Sequence, residues 1–226
     1  MTSKSKKQLL IINDKKTNDI SGVENIEELF EKSSVKKWIK LIDVNKTIKM
    51  EDYNRKEYFI KIGDIILDND IAEKGAKIGQ KQRKTVIKLE PVITNEDYKK
   101  KAEWIYIFVI DGRIVKIGGT RDGIKGRFGS YLCGHHIPER GGSRDCSKTN
   151  GFIYNTFEFY LNIGCKIEIY GYEIPVEEIK RVVFGKEITI KVQSYHGYES
   201  VLIGEYTKTY GFAPILCDNC DPDYKE

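Results

Sequence analysis

The sequence predicts an α+β fold: a small central antiparallel β-sheet flanked by helices, with a mixed α/β extension on its N-terminal side. Three observations carry that expectation. The dense apolar runs Trp104 to Ile110 and Ile114 to Ile117 enclose Asp111-Gly112-Arg113 and read as a β-hairpin. Cys165 to Ile174 (CKIEIYGYEI) alternates branched or aromatic with polar residues, as a third strand does. Ile124 to Leu132 and Ser200 to Tyr206 read as helices, with Pro214 marking the exit from the second.

The elements before the hairpin are less regular. The first twenty residues are polar. Ile26 to Ile42 carries apolar residues at Leu29, Phe30, Val35, Trp38, Ile39 and Leu41, which suggests one helix, or two broken at Ser33-Ser34. Tyr58 to Leu67 (YFIKIGDIIL) and Thr85 to Thr94 (TVIKLEPVIT) are strand-like. Lys74 to Lys84 (KGAKIGQKQRK) between them is a basic, glycine-containing loop suited to backbone phosphates. Asn95 to Lys101 has a cap-like start and links two regions: 1–100, with a recognition or dimerisation role, and 101–226, the compact module. Within the second, 133–151 (CGHHIPERGGSRDCSKTNG) is polar and irregular, and such a long loop is either disordered or functional.

Composition narrows the class. A chain of 226 residues can bury one large core or two small ones. No run of eighteen apolar residues exists, so no membrane span is expected. The N-terminus lacks the apolar length of a signal peptide, which points to the cytoplasm. Five cysteines are an odd number, all in the second half, and suggest reduced thiols rather than a disulfide framework. Net charge is +4, distributed as 22 basic against 17 acidic residues in 1–100 and 16 against 17 in 101–226. That mild excess suits a phosphate-bearing partner without demanding one.

Residues 104–132 bring a tyrosine, a lysine and an arginine into one hairpin-plus-helix unit. A three-residue turn at Asp111-Gly112-Arg113 sets Lys116 across from Phe108, on the face that carries Tyr106; a two-residue turn alone puts them on opposite faces. Arg127 and Tyr131 are four apart on the following helix and share a side of it. The stretch WIYIFVIDGRIVKIGGTRDGIKGRFGSYL resembles the GIY-YIG nuclease superfamily. Trp104-Ile105-Tyr106 stands for its first motif, Lys116-Ile117-Gly118 for its second, and Arg127 with Tyr131 for the helical R-x-x-x-Y. Glu199, followed by Pro214 and Asn219, is similar to the family's closing acid, with Glu158 as the competing glutamate. Trp104 and Lys116 depart from the family's Gly and second Tyr; the lysine resembles a branch of its type II restriction endonucleases.

The resemblance implies a DNA endonuclease acting on double-stranded DNA with Mg²⁺ or Mn²⁺, one ion per active site. Tyr106 is then the general base, with Lys116 holding its proton low or orienting the water. Arg127 binds the scissile phosphate, Tyr131 orients the nucleophile or the phosphate, and Glu199 holds the metal. A type II enzyme with one site per chain implies a homodimer. Repair or mobile-element nucleases, and a non-catalytic nucleic-acid-binding protein, are the alternatives. Arg140, Arg144, Lys148 and Asn150 of the polar loop have the donors that read base edges. Cys217 and Cys220, with Cys133, Cys146, His135 or His136, offer a weaker zinc alternative. No G-x-x-x-x-G-K-[ST] phosphate loop is present.

Overall fold

A computed structural model of the chain describes residues 26–33, 36–67, 87–131 and 147–217. Arg140, Arg144, the basic segment 74–84, Asn219, and the candidate zinc ligands other than Cys217 lie outside them. The strands are β1 (Ile60–Leu67), β2 (Ile87–Pro91), β3 (Trp104–Ile110), β4 (Arg113–Thr120), β5 (Ile167–Glu173), β6 (Glu178–Val183) and β7 (Lys186–Lys191). The helices are α1 (Ile26–Lys32), α2 (Asn95–Lys99), α3 (Gly123–Tyr131), α4 (Lys148–Asn162) and α5 (Tyr195–Tyr210). β1 to β5 form one antiparallel sheet in the order β2-β1-β5-β3-β4, and β6 and β7 form a separate hairpin. The expected α+β class and antiparallel central sheet are what the chain adopts. No helix among the described residues is long and apolar enough to cross a membrane.

β3 reads as an unbroken apolar run because both its faces are covered. Trp104, Tyr106, Phe108 and Ile110 point into a core shared with α3 and α4; Ile105, Ile107 and Val109 point into a second core beneath α5. Every residue of β3 is buried. Strands from both sides of residue 100 share this sheet, because β1 pairs directly with β5. The earlier segment is stitched to α4 as well: Lys40 N donates to Thr156 Oγ1 at 3.0 Å and Ile42 N to Tyr160 Oη at 2.8 Å.

The β3–β4 turn differs from its expected form. Asp111 (φ 44) and Gly112 (φ 76) both occupy the left-handed region, the signature of a two-residue I′ turn. The ladder nonetheless pairs Phe108 with Lys116, because the register shifts between Val109↔Ile114 and Phe108↔Lys116. Val115 is the extra residue of a β-bulge, and the bulge restores the register that a longer turn was expected to supply. Its carbonyl accepts from Leu216 N at 2.8 Å, so the C-terminal segment covers the irregularity.

Two elements were not expected. α4 begins inside the stretch read as loop 133–151, where Ser147 caps it by accepting from Asn150 N at 3.2 Å. It is buried around most of its circumference, so no clean apolar stripe marks it. Gly151 lies against the Trp38 ring, which a Cβ would approach to 2.7 Å. The β6–β7 hairpin is also new, and α5 starts before Ser200 and ends at Gly211, which takes the left-handed C-cap (φ 81). The third strand spans Ile167–Glu173, within the expected 165–174, and β1 starts only at Ile60 after a short 3-10 turn at Lys56–Tyr58.

Candidate active site

β3 delivers Tyr106 to the α3 side of the sheet, opposite Gly118 on β4 and Gly171 on β5. The glycine at 118 is a steric requirement. A Cβ there would lie 2.5 Å from Tyr106 Cζ and closer still to its hydroxyl, so the ring lies flat over the strand only because residue 118 has no side chain. Phe108, Phe128 and Tyr131 surround the ring at centroid distances of 5.4, 5.6 and 6.0 Å.

α3 delivers the guanidinium. Arg127 Nε donates to Tyr106 Oη at 3.0 Å and Arg127 Nη2 to Tyr131 Oη at 2.7 Å, and the two phenol oxygens are 2.5 Å apart. One planar fork thereby holds two hydroxyls that also bond each other, a use of geometry that lysine cannot reproduce. The guanidinium carbon also lies 4.4 Å from the Tyr131 ring centroid. Lys116 is only 3 % exposed, and its Nζ donates to the Leu216 carbonyl at 2.9 Å. Cys217 Sγ, next in sequence, bonds the Ile117 carbonyl at 3.3 Å. The described thiols, Cys165 and Cys217, are both buried.

Glu199 comes from the opposite layer. β4 is an edge strand with paired glycines: Gly118 faces the phenols, while a Cβ on Gly119 would meet Glu199 Oε2 at 3.1 Å and Tyr195 Cδ2 at 2.8 Å. The Glu199 charge acts on the Tyr131 hydroxyl around that edge. Tyr106, Tyr131, Arg127, Lys116 and Glu199 therefore gather at one end of the β3–β4 hairpin. Lys148 is exposed at the start of α4, and Asn150 does not stand in a loop: its Nδ2 donates to the Ser130 carbonyl at 3.2 Å. Glu158 lies midway along α4.

The electrostatics correct one expectation. Tyr106 is completely buried, and burial, reinforced by Tyr131, raises its pKa well above the usual phenol value. Lys116 and Arg127 both act to lower it but do not outweigh the loss of water, so the proton is not held low in the free protein. Burial raises the Tyr131 pKa too, against the opposing Arg127 charge. Burial works against the charge of Arg127, but the two phenols outweigh it and the guanidinium is held more firmly protonated. Sequence periodicity carries no sign of this enclosure, since a tyrosine in an aromatic strand looks alike whether its hydroxyl is wet or dry. Leu216 was the missed contributor: it supplies the backbone carbonyl that holds Lys116, and a main-chain carbonyl leaves no mark in the sequence.

The arrangement is two phenols bonded to each other under one fixed guanidinium. No protein-family profile and no curated protein matches the chain. Among solved structures it is similar to restriction endonuclease HPY188I in complex with product DNA, at 24% identity over 92% of this chain and 98% of that one, TM-score 0.45. It is also similar to a mutant of bacteriophage T4 EndoII, at 20% identity over 71% of this chain and 96% of that one, TM-score 0.45.

Proposed function

We propose that this chain is a metal-dependent endonuclease that hydrolyses phosphodiester bonds of double-stranded DNA, acting as a site-specific type II restriction enzyme. The observation that carries the reading is the Arg127 fork, which reaches both phenol hydroxyls while Lys116 and Glu199 stand at the same end of one hairpin. The ordered resemblance of Tyr106, Lys116, Arg127, Tyr131 and Glu199 to the GIY-YIG nucleases supports it further.

Hydrolysis needs a base for water, a cation for the phosphorane and a stabilised leaving oxygen. Burial keeps the proton on Tyr106 in the free protein; once that proton has passed to solvent, the phenolate takes one from water as the water oxygen attacks phosphorus, the bond to the 3′ oxygen breaks and that oxygen takes a proton from solvent. The Lys116 and Arg127 charges favour that phenolate, and each unit they take off its pKa is worth about 1.4 kcal/mol. Arg127 turns its fork to the phosphate oxygens as their charge grows. Tyr131 stays bonded to the Tyr106 oxygen and holds its lone pair toward the water.

Among the described residues no group of three or more His, Cys, Asp or Glu is placed to cage a metal. A single carboxylate at the hairpin edge fits a Mg²⁺-like ion, which keeps several waters and takes its other ligands from substrate phosphate. Glu199 would hold it. When bound, such an ion acts as a Lewis acid toward the leaving oxygen. Lys148, exposed at the start of α4, would contact the duplex.

Incubation of supercoiled plasmid with Mg²⁺ and with EDTA, using wild type, Glu199→Ala and Glu158→Ala, tests the reading. Discrete fragments that require Mg²⁺ and Glu199 support it. Loss of cleavage in Glu158→Ala alone overturns the metal assignment, a smear overturns site specificity, and plasmid bound but never cut overturns the enzyme.

A further inference from the structure

The β6–β7 hairpin is a two-stranded sheet of its own, and such a pair is marginal in water without a partner. Its strands turn through Phe184 (φ 52) and Gly185 (φ 74). Side chains alternate across it. Ile179, Arg181, Val183, Lys186, Ile188 and Ile190 share one face; Glu178, Lys180, Val182, Glu187, Thr189 and Lys191 share the other. Ile179, Ile188 and Ile190 stay 39 %, 40 % and 38 % exposed, so the apolar face has no full cover within the described chain.

The ladder fixes which backbone groups point outward. Val192 N donates to the Glu177 carbonyl at 2.9 Å, so that pair is a hydrogen-bonded one. Hydrogen-bonded pairs alternate with non-bonded ones in antiparallel strands. Glu187, Thr189 and Lys191 on β7, and Glu178, Lys180 and Val182 on β6, therefore turn their N–H and C=O groups to the open edges.

We infer that β7 is a self-pairing edge: two copies of this chain join β7 to β7 antiparallel, about a two-fold axis at Thr189. In that register Thr189 faces the second copy's Thr189, Glu187 faces its Lys191 twice over, and Ile188 faces its Ile190 on the apolar side. Opposite charges and threonine pairs are both favourable directly across a ladder. A pairing about Glu187 or Lys191 instead sets like charges against each other at the axis. β6 fails the same criterion, because a register centred on Lys180 opposes two lysines and leaves Glu178 against Val182. The result is a four-stranded sheet that gathers Ile188 and Ile190 of both copies at the centre of one face, built from an isologous contact that closes.

Sedimentation velocity on the full chain reads this without any reference to catalysis, so a failure here and a failure of the nuclease reading are separate results. Wild type is expected to show a concentration-dependent species of twice the 26.1 kDa chain mass. Glu187→Lys alone and Lys191→Glu alone each place like charges at both ends of the junction and should weaken association by about tenfold or more. An equimolar mixture of those two variants restores opposite charges at both ends, and the dimer should return as a mixed species. Thr189→Pro removes an outward N–H at the axis while leaving the hairpin's own ladder intact, and should abolish the dimer. A monomer at every concentration overturns the inference. So does a dimer indifferent to all three substitutions, or a mixture no tighter than its components. If the variants keep their mass but lose plasmid binding, the hairpin faces nucleic acid and the inference is overturned.

Discussion

Replacing Gly118 by alanine probes the packing of the site most sharply. The added Cβ would sit 2.5 Å from Tyr106 Cζ and 2.7 Å from Cε2, whereas carbon atoms rest about 3.5–4.0 Å apart. The ring must retreat by about 1 Å, into neighbours Phe108, Phe128 and Tyr131 that are themselves fully buried. Overpacking of that sort costs about 1–3 kcal/mol. For a chain of this length each kcal/mol moves Tm by about 2–4 °C, so Gly118→Ala should melt roughly 2–12 °C lower. Catalysis should suffer more than stability. A misplacement of about 1 Å can cost about 100-fold in rate, and the Tyr106 oxygen is the atom displaced. Calorimetry and single-turnover cleavage, both well below the melting transition, measure the two effects. A variant that melts with wild type and cleaves at its rate would refute the stacking of Tyr106 on residue 118.

Three other outcomes follow from the same structure. Lys116 is one of two cations that lower the Tyr106 pKa, so Lys116→Met should slow cleavage near neutral pH and move the rise of the pH–rate profile to higher pH; an unmoved profile removes lysine from that role. Gly204 lies exposed in α5, where an added Cβ would meet nothing within 4 Å, and Gly204→Ala should stabilise the fold by about 1 kcal/mol, read as a higher urea midpoint. Burial raises the pKa of Tyr106, Tyr131, Tyr160 and Tyr206, and lifts Tyr53 to about 12. Unfolded phenols ionise near about 10 while folded ones keep their protons, so stability should hold to about pH 10 and fall above it. Urea midpoints that stay level from pH 9 to 11 would contradict this.

The sheet was legible where burial and periodicity agree. β3 announces itself because a strand covered on both faces is apolar throughout, and Asp111-Gly112 is a turn pair that points on to β4. The Tyr106–Lys116 face was legible too, but through an assumption about turn length that the chain does not follow. It places Lys116 opposite Phe108 with a bulge at Val115, and no local residue signals a bulge there. α4 escaped notice because Phe152 to Phe157 is buried on nearly all sides and rich in aromatic and β-branched residues, so its pattern lacks a 3.6-residue stripe. β6 and β7 escaped for the opposite reason: their exposed faces interleave charge with isoleucine, and tertiary cover supplies no contrast. The state of the Tyr106 proton depends on enclosure by α3 and the aromatic core, which belongs to the assembled fold.

Tyr106→Phe removes one oxygen and leaves the ring to fill its place, so it isolates the chemistry from the packing. Single-turnover cleavage of a duplex in Mg²⁺, measured well below the melting transition, should fall by about 100-fold or more, while the loss of the Arg127 Nε partner costs about 1–3 kcal/mol of stability. Cleavage at the wild-type rate by a folded Tyr106→Phe protein would contradict the assignment of this phenol as the base.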